Sequence, residues 1–162
     1  MVGYPGAGKT TVARIIAEET GAIHLWADVE RHKMFEQPTH SQEESMRLYD
    51  ELNRGAEALL AGGHSVVFDT NFNFREDRQK LRDIATRHGA ETIVVWITIP
   101  VGIAKDRAVG ADESRNGYQA QMTGEQFDAI VTKLEPPSED EKVIKLDGTK
   151  LDERTVLALV SQ

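Results

Sequence analysis

Gly3-Tyr4-Pro5-Gly6-Ala7-Gly8-Lys9-Thr10 is the stretch whose reading decides the fold. It matches GxxxxGK[ST], and each position has a physical task. Glycines let the backbone curl so that consecutive N–H groups turn toward phosphate oxygens, and a helix starting at the lysine adds its positive N-terminus. Lys9 then reaches the β- and γ-phosphates as a point charge, and Thr10 places its hydroxyl on Mg²⁺. Pro5, Ala7 and Thr11 complete the set expected to line the nucleotide. The competing reading is a glycine-rich turn that binds nothing. Downstream context favours the loop: Val12, Ile15 and Ile16 recur at helical spacing, and Gly21 supplies a left-handed stop. Only Met1 and Val2 precede Gly3, so the strand that should lead into the loop is either unusually short or continues upstream.

Outward from the loop, strands and helices alternate. Short apolar strands are expected over 22–26, 64–68, 91–99 and 143–146, the third rich in β-branched residues and bounded by Pro100. Between them, Ser41-Gln42-Glu43-Glu44 has the form of a capping box, followed by Tyr49, Leu52, Ala56, Leu59 and Leu60 at helical spacing. Asn73 with Glu76 opens another helix, and further helices are expected through Ile103 and Arg107, over 123–134 and over 152–160. This alternation implies βαβ units, a parallel sheet and right-handed crossovers within one α/β domain covering residues 1–162.

Three further signals bear on chemistry. Val66-Val67-Phe68-Asp69-Thr70-Asn71 is an apolar strand ending in a carboxylate, the expected partner of a phosphate-binding loop, with Asp69 holding Mg²⁺ directly or through water. A turn-capping aspartate is the alternative. Thr70 stands where ATPases that drive mechanical change carry Glu, and no Asn-Lys-x-Asp guanine-reading motif exists, so neither such a motor nor a GTPase switch fits. Asp28 and Arg31 follow the second strand, one helical turn apart, at the edge where open α/β sheets bind ligands. Phosphoryl transfer to a hydroxyl needs a base there and often an arginine for the substrate's own anion; a surface ion pair is the alternative. Finally, the aperiodic polar stretch over about 110–121, flanked by Arg107 and containing Arg115, suits a lid closing over phosphates, or else a solvated surface loop.

Composition narrows the classes. The 162 residues, 40% hydrophobic and 28% charged, suffice for one domain with a real core. No run approaches a membrane span and no signal peptide is visible, so the default placement is cytoplasmic, without a membrane partner. The absence of cysteine excludes disulfides and thiolate chemistry. With 27 acidic against 19 basic side chains, a net charge of −8 argues against a DNA-coating surface while allowing a small basic groove for phosphates. The five histidines show no metal-ligand spacing and read as surface or structural residues. Trp26, Phe35, Phe72 and Phe74 read as core packing before pocket lining.

At these residues the chain resembles the P-loop kinase group that includes 5′-hydroxyl polynucleotide kinases, zeta-toxin-like kinases, chloramphenicol phosphotransferases and gluconate kinases. It is most similar to the kinase domain of phage-type polynucleotide kinases. The resemblance implies a P-loop NTPase α/β/α sandwich with a five-stranded parallel sheet in order 2-3-1-4-5. It implies Asp28 as general base and Arg31 on an anionic substrate group. Asp69 and Thr70 would sit near metal and substrate, Arg107 beside adenine, and Arg115 on the transferring phosphate. Two departures stand out: Trp26-Ala27-Asp28 lacks a basic residue before the aspartate, and Arg115 is the only arginine between Gly110 and Gln121.

Two function classes follow. One is an ATP- and Mg²⁺-dependent kinase acting on a hydroxyl, for which the acidic charge favours a small-molecule acceptor over a nucleic-acid end. The other is a nucleotide-binding module or slow ATPase that regulates a partner without phosphoryl transfer. Asp28 separates them, because only transfer to an acceptor needs a base at that place.

Overall fold

The first two residues act as a bridge between strands. In a computed structural model, which describes residues 1–110 and 122–160, the Met1 nitrogen donates to the Phe68 carbonyl at 2.9 Å. Val2 pairs in parallel with Trp96, donating to Val95 and accepting from Ile97, each at 2.8 Å. On one side lie β1 (Ile23–Trp26) and β2 (Val66–Asp69), parallel, with Trp26 opposite Asp69. On the other lie β3 (Val94–Thr98) and β4 (Val143–Asp147), also parallel, with Thr98 opposite Asp147. Among the described residues the expected five-stranded sheet is thus seen as two strand pairs with Val2 bridged to the second.

Helices fill the intervals. Those the sequence pattern predicts are α1 (Lys9–Thr20), α3 (Gln42–Ala61), α4 (Arg75–Arg87), α5 (Val101–Val109), α6 (Gly124–Val131) and α7 (Glu153–Val160); α2 (Ala27–Met34), a full helix after β1, is not among them. Gly21 ends α1 in the left-handed conformation at φ 71°. Two helix starts differ from expectation. Ser41 caps α3 by accepting from the Glu44 amide, but the Glu44 carboxylate does not return to Ser41; it is drawn to Thr39, His40 and Arg31 instead. Phe74, not Asn73, is the capping position of α4, since the Asn73 carbonyl is taken by the Glu135 amide. A full capping box does form at Thr123 and Gln126, opening α6.

The main core joins the loop to the rest of the fold. Ala7, from the glycine-rich loop itself, is fully buried with Val12, Ile97, Ala104, Phe127, Leu146 and Val156. Phe127 of α6 is completely enclosed, which stabilises the fold by roughly 2–3 kcal/mol. A second cluster of Ala27, Leu48 and Leu52 fastens α2 to α3 and so fixes the helix that bears Asp28. No described helix is long and apolar enough to cross a membrane.

Candidate functional site

The loop is tightly built. Gly6 adopts φ 78°, and a Cβ there would lie 2.3 Å from the Ala104 carbonyl oxygen of α5. Gly8, at φ 102°, precedes α1 with no side-chain cap, and the first turn carries no acidic residue. Its leading amides are therefore left with a positive helix end and no competing anion, an arrangement suited to phosphate. Pro5 and Ala7 are buried beneath, while Thr10 and Thr11 reach the surface at the start of α1.

Lys9 curls over its own loop. Its Nζ donates to the Gly3 carbonyl at 3.0 Å and to the Tyr4 carbonyl at 2.9 Å, and the residue is 9% exposed. Burial pulls its pKa down to about 8, against the opposing charges of Asp69 and Asp28. Both carboxylates therefore lie within electrostatic reach of the loop lysine, as a site at the ends of β1 and β2 requires.

Asp69 ends β2, is 3% exposed, and its Oδ2 faces His24 Nε2 at 3.2 Å. His24, two residues before Trp26 on β1, stacks against that indole at 5.7 Å between ring centroids. Among the described residues no group of three or more His, Asp or Glu side chains could enclose a metal. Of the two oxygens expected to serve Mg²⁺, the Asp69 carboxylate stands at the end of β2 and the Thr10 hydroxyl in the first turn of α1.

Asp28, expected as the base, lies exposed in the first turn of α2, whose capping position is Trp26. Thr70 is buried, and its Oγ1 lies 2.9 Å from the Tyr49 hydroxyl of α3, which also donates to the Asn71 carbonyl at 3.4 Å. Burial raises the Tyr49 pKa; the charges of Asp77 and Asp28 add to this, while Thr70 and Arg31 oppose it. Arg31, expected to meet a substrate anion, is 8% exposed and donates to the Glu44 carboxylate and, at 3.4 Å, to Ser45. Burial alone would raise Glu44, but hydrogen bonds from Thr39, Arg31 and His40 bring its pKa down to about 2.

Arg107 leaves α5 to donate to the Gly148 carbonyl at 2.9 Å, in the turn after β4. It thus borders the loop on the side away from Asp28's helix. Residues 111–121, which hold Arg115 and nearly all of the expected lid, lie outside the described residues. His24, Glu44 and Tyr49 were not singled out by their sequence positions. Tyr49 sits in a helical apolar pattern, Glu44 in a cap motif, and His24 on a strand whose partner is known only from the fold.

A second buried pair supports the loop after β2. Arg78 of α4 donates to both oxygens of Glu141, at 2.6 and 3.1 Å, and to the Phe72 carbonyl at 3.0 Å. Arg75 and Arg82 of the same helix both reach Asp140.

Comparison with solved structures places this geometry among kinases in fold. A sugar kinase from Janibacter sp. HTCC2649 is 22% identical, covers 98% of this chain and 88% of its own, and superposes with a TM-score of 0.72. The APS kinase of Mycobacterium tuberculosis, solved with AMPPNP and APS, is 20% identical with a TM-score of 0.70, covering 99% of this chain and 92% of its own. A gluconokinase from Sinorhizobium meliloti 1021 is also 20% identical with a TM-score of 0.70, covering 99% and 89%. No curated protein sequence matches the chain significantly. Residues 1–137, from the phosphate-binding loop through the segment after α6, match the AAA domain family, so the chain belongs to that family and carries the α/β fold of P-loop kinases.

Proposed function

We propose that the protein is an ATP-dependent kinase that moves the γ-phosphate to a hydroxyl group of a small molecule. The observation that carries this reading is the placement of two carboxylates after the paired strands β1 and β2, with Asp28 exposed in the first turn of α2 and Asp69 buried at the end of β2. A module that merely holds nucleotide has uses for Lys9 and Asp69 but none for a solvent-facing base on the acceptor side. The likeness in fold to sugar, gluconate and APS kinases supports both the reaction class and a small acceptor.

In this reading the ATP phosphates lie on the amides from Gly6 to Thr11, replacing the Gly3 and Tyr4 carbonyls as partners of Lys9, and Arg107 borders the adenine. Thr10 and Asp69 hold Mg²⁺, which when bound neutralises charge on the phosphate oxygens. Asp28 accepts the proton of the acceptor hydroxyl. The acceptor oxygen bonds to the γ-phosphorus while the bond from that phosphorus to the β,γ-bridging oxygen breaks, giving a phosphate ester and ADP. His24 steadies the Asp69 carboxylate, and Tyr49 with Thr70 lines the acceptor side. Arg115 is assigned to the transferring phosphoryl group from its place in the sequence.

The test is incubation with γ-labelled ATP, Mg²⁺ and a panel of hydroxyl metabolites, with Lys9→Ala as the blank. Label on an organic hydroxyl, absent with the variant, is the expected result. Nucleotide binding with label passing only to water, or nowhere, assigns the protein to the alternative class, a binding module or slow ATPase.

A further inference from the structure

The charges around Asp28 point to a substrate class, an inference that rests on the kinase reading above. Arg31, one turn beyond Asp28, is the cation that α2 offers to a substrate anion. It is buried against Glu44, whose carboxylate also accepts from the Thr39 amide at 2.6 Å, the Thr39 hydroxyl at 2.9 Å and the His40 amide at 3.3 Å. Four donors on one carboxylate keep it ionised, so the guanidinium charge is cancelled where it stands. The α4 arginines nearest the Asp69–Phe72 loop are committed in the same way, Arg75 to Asp140 and Arg78 to Glu141.

What remains on this side is a bare anion and a pair of neutral hydroxyls. Asp28 is exposed, and its carboxylate accepts no hydrogen bond from a described side chain. Tyr49 and Thr70 share one hydrogen bond at 2.9 Å and Tyr49 also donates to the Asn71 carbonyl at 3.4 Å, so both hydroxyl protons are engaged and each oxygen keeps capacity to accept another. A carboxylate or phosphate brought here would face Asp28 with Arg31, Arg75 and Arg78 already neutralised, while Arg47 of α3 lies over the Phe35 ring at 5.4 Å, past the far end of α2 from Asp28. A neutral polyol meets matching groups, and an ammonium meets an attractive one.

We infer that the acceptor is an uncharged or cationic polyhydroxy compound, of the sugar, polyol or amino-sugar class, with one hydroxyl facing Asp28 and a neighbouring one held by the Tyr49–Thr70 pair. Arg31 and Glu44 set this preference by removing the cation that an anionic acceptor would need.

The experiment uses the full chain with labelled ATP and acceptors in charge-matched triads: glucose, gluconate and glucosamine, and ribose, ribose 5-phosphate and a 5-amino ribose. The expected result is transfer to the neutral or cationic member with kcat/KM at least about 10-fold above its anionic analogue. A faster anionic member overturns the inference while leaving the kinase reading intact. Transfer to no member, with AMPPNP still bound, removes the kinase reading itself. Tyr49→Phe is the second arm: it should raise the acceptor KM by about 3- to 10-fold, the range for one lost hydrogen bond, with the KM for ATP unchanged. An unchanged acceptor KM overturns the role given to Tyr49.

Discussion

The ammonium of Lys9 donates to the carbonyl oxygen of Gly3, the first residue of its own motif, at 3.0 Å. The loop's own carbonyls, Gly3 and Tyr4, thus partner its lysine. The arrangement holds a buried cation on neutral dipoles, and burial lowers the lysine's pKa to about 8 even though Asp69 and Asp28 pull the other way. Phosphate oxygens would replace dipoles by charges and favour the protonated form further.

The first prediction concerns this lysine and pH. Its native pKa lies below the unfolded value of 10.5, so the native state gives up its proton first. The cost of the buried charge is fully present below pH 8 and fades as pH rises from there toward 10.5. Without nucleotide, wild-type stability relative to Lys9→Met should therefore rise across that window, by up to about 3 kcal/mol. Urea unfolding of both proteins at several pH values checks this; parallel pH profiles would refute it.

A second prediction isolates the base. Asp28→Asn keeps the side chain's shape and should lower transfer by about 10²- to 10⁴-fold while nucleotide affinity stays near wild type. Because Trp26 and not Asp28 holds the capping position of α2, the loss of stability should stay below about 1 kcal/mol. Intact transfer with a much lower melting temperature would make Asp28 a structural, helix-starting residue.

The Arg78–Glu141 pair gives a third. Arg78→Met leaves the buried Glu141 carboxylate with Ser138 but no cation and should destabilise the fold by about 3–5 kcal/mol. Adding Glu141→Leu removes the stranded charge and should recover most of that loss. A double variant as unstable as the single one would show that packing, rather than charge, is at stake.

Two glycines with similar backbones separate space from conformation. Gly6→Ala would press a methyl onto the Ala104 carbonyl and should cost more than about 2 kcal/mol. Gly21→Ala, at φ 71° in open space, should cost only about 1–2 kcal/mol, the penalty of the left-handed conformation alone. Equal melting temperatures for the two variants would contradict the tight seating of the loop on α5.

The parts of the site readable from sequence are those whose geometry is local. The turn from Gly3 to Thr10 needs nothing from elsewhere to aim its amides, and Asp28 and Asp69 are located by following their strands to the carboxyl end. Contacts decided by tertiary pairing leave no such trace. Ser41 and Glu44 satisfy the spacing of a reciprocal cap, yet a buried guanidinium on α2, 13 residues earlier, outcompetes one backbone amide for the carboxylate. His24 meets Asp69 only because β1 and β2 pair in the register that sets Trp26 opposite Asp69. Tyr49 follows the apolar helical rhythm of α3, and that rhythm gives the direction of its ring while saying nothing of the hydroxyl's partner.

The likeness to the AAA domain family stops at residue 137, while the ion pairs of α4 reach across that limit. Asp140 serves Arg75 and Arg82, Glu141 serves Arg78, and β4 is the neighbour of β3. A chain cut at the family boundary would lose all of these together and leave three guanidiniums on one helix repelling each other beside a bared sheet edge. A protease nicking the Pro136–Pro137 segment would therefore release more than a tail: with Glu141 gone, Arg78, which also holds the Phe72 carbonyl after Asp69, would lose its carboxylate partner.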